Sequence, residues 1–140
     1  MNGMNLRTIR SAAIAAVAIA ATAPGCGGAS GPARYPLSGT VTYDGEPVPV
    51  GFIHFVPDVE RGNSGPAAGA AIERGRFSTP RGKGTVGGPH RVVIEGYDGV
   101  PFDSPEGPQP SGQSLFPGFH THAELPLHAA TIDFPVPAVP

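Results

Sequence analysis

His120 and His122 flank Thr121, so on an extended segment both imidazoles project from the same side of the chain. His128 follows a little further on, with Glu124 between. Imidazole nitrogens reach a shared Zn²⁺ or Cu²⁺ at about 2.1 Å, which makes these three the candidate metal ligands. Two strand-borne histidines define only half of a coordination sphere, and nothing else in the pattern anchors a second pair. The opposing reading is three solvated histidines in a flexible segment, and the reading adopted is no resident metal or other cofactor. His54 and His90 read as a face-exposed and a core-edge histidine. Asp98, Asp103 and Glu106 share one stretch and could offer oxygens to Ca²⁺ at about 2.3–2.6 Å, but prolines between them favour an extended, solvated run. Cys26 is the only cysteine, so it has no internal disulfide partner.

What precedes Cys26 gives that thiol a role. Arg7 and Arg10 form a positive start, Ser11–Ala23 is almost entirely Ala, Ile and Val, and Gly-rich polar sequence follows. A cationic opening, a short apolar run and small residues at its end are the layout of an export signal, and the run is shorter than the ~20 residues a spanning helix needs. The segment up to Gly25-Cys26 resembles the lipobox of bacterial lipoproteins, with Ala23 where Leu is usual and Pro24 at an unusual place. The resemblance implies a signal peptide over 1–25, its helix removed, and lipidation of Cys26. Acyl chains add about 0.8 kcal/mol per buried methylene, so two or more hold a protein on a membrane.

The remaining 115 residues suffice for one domain with one modest core. Seven Lys/Arg face eleven Asp/Glu there, for a formal charge of -4, and no basic run is present. Nucleic-acid binding is excluded on that ground, because it needs Lys and Arg against phosphates. No catalytic constellation emerges either. Ser64 in Gly62-Asn63-Ser64-Gly65-Pro66 lacks the surroundings of a nucleophile, and Arg81–Thr85 fails the spacing of a phosphate loop.

The 21 Gly and 18 Pro sit mostly in the joints between patterned segments. Gly27–Pro36 has no apolar period and reads as part of a flexible tether over 26–36. Leu37, Gly39, Val41 and Tyr43 alternate with Ser38, Thr40 and Thr42, a half-buried strand. Asp44-Gly45 should reverse the chain, as should Arg74-Gly75. Pro47 and Pro49 keep Glu46–Val50 out of a central ladder. Gly51–Val56, Ala67–Glu73, Arg76–Thr79, His90–Tyr97 and Ala130–Val136 are further strands, with Val92 and Ile94 inward and Val93 outward. Pro57–Pro66, Pro80–Pro89 and Asp98–Gln113 read as loops, with Asp98–Pro110 too poor in apolar residues to be ordered. No helical period survives after the leader. Six or seven short strands with frequent turn signals predict an all-β fold, a small antiparallel β-sandwich over 37–140.

Ser38-Gly39-Thr40-Val41-Thr42-Tyr43-Asp44-Gly45-Glu46-Pro47-Val48-Pro49 resembles the opening of carboxypeptidase regulatory-like domains. Gly51–Pro57, Ala71–Phe77 and Gly88–Ile94 follow it in order and spacing, with His90 where an aromatic is usual. The resemblance covers about 37–97 and implies a transthyretin-like (prealbumin-type) sandwich that is non-catalytic, a folding, interaction or spacer module. Together these readings predict a non-enzymatic, lipid-anchored protein of the bacterial cell envelope, its partners a membrane and an envelope protein or glycan. Two alternatives are a carbohydrate- or peptide-binding module using loops at one end of the sandwich, and a metal-handling protein using His120, His122 and His128.

Overall fold

The computed structural model describes residues 31–139. The leader, Cys26 and the first part of the tether lie outside the described residues. The described chain is all-β apart from one 3₁₀ turn at Val59–Arg61. In order the strands are β1 (Leu37–Tyr43), β2 (Glu46–Pro47), β3 (Val50–Pro57), β4 (Ala68–Glu73), β5 (Arg76–Ser78) and β6 (Gly88–Tyr97), then β7 (Phe102–Ser104), β8 (Gly107–Gln109), β9 (Phe119–Leu125), β10 (Ala130–Thr131) and β11 (Phe134–Val136). One sheet runs β10-β1-β5-β4-β3-β6-β9, with β2 and β11 also pairing β1. The fold is sandwich-like, a largely antiparallel sheet curled around a single core. Only β10 and β11 run parallel to β1.

Local chemistry explains the two tight hairpins. Asp44 and Gly45 have φ of 52° and 81°, and Arg74 and Gly75 have 50° and 76°. Positive φ at both central residues is the two-residue turn whose twist matches the flanking strands. Tyr43 thus faces Glu46, and Glu73 faces Arg76. Gly39 answers a different need: a Cβ there would overlap the Ile132 carbonyl, where the chain passes between β10 and β11.

The curl places one face of every long strand inward. Leu37 and Val41 of β1, Ile53 and Phe55 of β3, Ala70 and Ile72 of β4, and Val92 and Ile94 of β6 are all buried. Phe55, Phe77 and Phe134 form a triangle of rings with centroids 5.9–6.0 Å apart, tying β3, β5 and β11 together inside the curl. At the far end Val48 and Phe116 close the core, and Tyr43 stacks on Phe116 at 4.9 Å.

Four expectations change. The tether ends earlier than Pro36: Arg34 donates to the carbonyls of Gly84 and Ala67, and Tyr35 exchanges backbone bonds with Thr85. Pro57–Pro66 contains the 3₁₀ turn, because Asp58 caps it by accepting from the Glu60 N–H. Asp98–Gln113 is no open loop but the hairpin β7–β8. Its base is held by the Asp98 carboxylate, whose Oδ1 accepts from the N–H groups of both Val100 and Gln113. Hydrogen bonds to the Asp98 carboxylate close the hairpin, where apolar burial does little. Lastly, His120 and His122 stand on a regular strand, β9, bonded along its length to β6.

Candidate functional site

The sheet presents two polar outer faces, and the candidate residues divide between them. On β3, β6 and β9 the outward positions are every second residue. In register, His54 of β3, Val93 of β6 and His120 of β9 form one row across the sheet. Val56, Arg91 and His122 form the next row. Phe52 and His54 stack with centroids 4.6 Å apart, so aromatic and imidazole surface is concentrated here.

His122 has the most constrained chemistry of the three β9-region candidates. Its Nδ1 lies 3.3 Å from Oδ2 of Asp58, a carboxylate that is only 2% exposed while the imidazole is 60% exposed. Asp58 is itself fixed on three sides. Its N–H donates to the Pro89 carbonyl, its carbonyl accepts from Arg61 and Asn63, and its Oδ1 caps the 3₁₀ turn. Asn63 completes the corner by donating from Nδ2 to the carbonyls of Gly87 and Pro89. This corner therefore locks the end of β3 to the start of β6 and orients one imidazole above them.

His128 does not join the pair. It lies past Pro126, beyond the end of β9, with Nδ1 2.9 Å from the Ala129 carbonyl. Among the described residues no group of three or more His, Cys, Asp and Glu side chains is arranged to hold a metal ion. That applies equally to Asp98, Asp103 and Glu106, since Oδ1 of Asp98 already accepts two N–H groups. His54 is exposed, as its alternation implies. His90 is deeper than a core-edge position, at 1% exposure, with Nδ1 2.9 Å from the Gly88 carbonyl and Nε2 without a protein partner. Burial of that unpaired acceptor opposes stability and is tolerated at one site in a satisfied core.

Asp58 is the residue that sequence reading passed over. Its signal was an Asp two residues before Glu60-Arg61-Gly62, the side chain that caps a helical turn by accepting a backbone N–H. Removing it should matter more than removing its partner. Asp58→Ala is expected to lower stability by about 1–2 kcal/mol through loss of the cap. His122→Ala should change it by less than about 1 kcal/mol, because the imidazole is mostly exposed and the Asp58 cap stays in place. Urea melts of the two variants check the order, and equal losses would move the weight from the cap to the ion pair.

The second outer face, on β1, β5 and β4, holds an open groove of about 1510 Å³. Ser38, Thr40, Ser78 and Thr131 line it with hydroxyls, and Arg74 and Arg76, with Glu73 beside them, add charge with a net positive sign. No protein family, curated protein or solved structure matches this chain. The groove and the histidine face must therefore be judged on their own chemistry. The groove joins hydroxyl donors and acceptors to guanidinium groups beside the apolar side chains of Pro49, Val50 and Ala71. Such a surface can hydrogen-bond an extended polar chain and pair with its acidic groups. The histidine face offers one oriented imidazole with no nucleophile placed against it by any hydrogen bond among the described residues.

Proposed function

We propose that this is a non-catalytic, lipid-anchored protein of the bacterial cell envelope whose β domain is an interaction module. The anchor rests on the leader and Cys26, and the module on the resemblance of 37–97 to carboxypeptidase regulatory-like domains. The observation that carries the interaction reading is the open groove on β1, β5 and β4, lined by hydroxyls and by Arg74, Arg76 and Glu73. Its lining favours an extended peptide over a sugar ring. Sugar platforms rely on exposed aromatic faces, and Phe77, the aromatic residue at this groove, is 4% exposed.

The experiment has two arms. Cys26→Ser is expected to move the protein from the membrane fraction to the soluble fraction, and mass spectrometry of the unaltered protein should find acyl chains on Cys26. A mature N-terminus at another residue, with a free thiol, would overturn the anchor. In the second arm, peptide and peptidoglycan pull-downs are compared between the unaltered protein and the Arg74→Glu/Arg76→Glu variant. Peptide capture that the charge reversal abolishes supports the module; capture indifferent to it removes the groove from the reading.

A further inference from the structure

The two ends of the main sheet are finished differently. At one end β10 and β11 have two and three residues, and Pro135 interrupts the second. Short strands and proline blunt an edge, because they leave few N–H groups for another chain to use. At the other end β9 has seven residues, Phe-His-Thr-His-Ala-Glu-Leu, without proline, lysine or arginine. Among the described residues it pairs only with β6.

The direction of its backbone groups follows from its neighbours. Along a strand, N–H and C=O turn alternately to one side and the other. The Pro89 carbonyl accepts from the Asp58 N–H, on the β3 side of β6, at 2.9 Å. Arg91 and Val93 share that direction, so His90, Val92 and Ile94 turn toward β9. The Leu115 N–H donating to the Gly96 carbonyl at 2.9 Å has the same phase. Through the register, Ala123, Thr121 and Phe119 bond to β6. His120, His122 and Glu124 are left with their backbone groups directed outward.

We propose that β9 is the interface of a homodimer, pairing antiparallel with β9 of a second copy about a two-fold axis at His122. Self-complementarity of the segment selects this occupant over an unrelated strand. Centred on His122, the pairing sets His120 opposite Glu124 of the second copy, an imidazole against a carboxylate. It sets Phe119 opposite Leu125 on the inward face, extending the apolar surface, and Thr121 opposite Ala123. The register also obeys the backbone phase, since the residues brought into bonded pairs are the outward-directed ones, His120, His122 and Glu124. The contact is isologous and closes at two copies, joining two sheets into one. It uses an edge separate from the groove, and so does not depend on what the groove binds.

Sedimentation equilibrium of the full-length protein in mild detergent tests it. The unaltered protein is expected to show a concentration-dependent mass rising to twice that of the monomer. His122→Pro removes an outward N–H but no bond to β6, and should weaken dimerisation by about tenfold or more. His120→Glu puts like charges opposite each other and should also weaken it, by about tenfold. His120→Glu with Glu124→Lys restores opposite charges and should recover the dimer. Should His122→Pro fail to fold by circular dichroism, the charge pair decides alone. A monomer at every concentration would overturn the proposal and leave the edge for a strand of another protein. A dimer unaffected by these variants would overturn it too, by placing the contact elsewhere.

Discussion

Phe55→Ala is expected to destabilise the domain by about 3–5 kcal/mol, the range for deleting a fully buried aromatic ring. Phe55 is completely buried on β3, which lies between β4 and β6 in the sheet. Its ring meets Phe77 and Phe134 at centroid separations of 5.9 Å, and each of those meets the other at 6.0 Å. Removing one ring leaves a cavity that the remaining two cannot both fill, because they are carried by different strands, β5 and β11. The loss is a large part of the roughly 5–15 kcal/mol by which a domain is stable. Phe55→Leu keeps much of the volume and should lose less. Urea denaturation followed by tyrosine fluorescence or circular dichroism checks both. A loss under about 1 kcal/mol for Phe55→Ala would show that the curl is not closed by this triangle of rings.

The second large effect distinguishes neighbours on one strand. Val92 and Ile94 are completely buried, while Val93 is only half-buried in the outer row between His54 and His120. Val92→Ala and Ile94→Ala should each cost about 2–4 kcal/mol, through lost burial and a cavity. Val93→Ala should cost less than about 1 kcal/mol, since water already reaches its face. A one-residue slip of β6 would exchange the faces, so the contrast measures the register itself. Equal losses at Val92 and Val93 in urea melts would overturn the register.

Much of this architecture was already legible in residue type and spacing. Period-two alternation in Leu37–Tyr43 and His90–Tyr97 identified strands and their inward faces, because side chains on a pleated strand can only alternate. Asp44-Gly45 and Arg74-Gly75 marked hairpins, because positive φ is cheap for few residues. His120 and His122 were correctly placed on one side of an extended segment. The same alternation ran through Phe119, Thr121, Ala123 and Leu125, but Thr and Ala carry too little apolar contrast to announce a strand on their own. The hairpin at Asp98–Gln113 stayed hidden for a related reason. It is held by the carboxylate of Asp98 reaching the N–H of Gln113, a contact between residues far apart in the chain.

Tertiary structure alone decided the rest. Alternation cannot say which strands become neighbours, so the place of β3 between β4 and β6, the parallel pairing of β10 and β11 with β1, and the ring triangle were invisible in the chain. Nor could spacing reveal that His122 meets Asp58, rather than His128, since residues at sequence separations this large meet only when the sheet has assembled. The sequence by itself determined that the alternating apolar residues from Leu37 onward would make a β domain. Which outer face carries the groove, and which edge stays open, depended on strand order. That order is set by how the apolar faces of all the strands share one core, a property of no single segment.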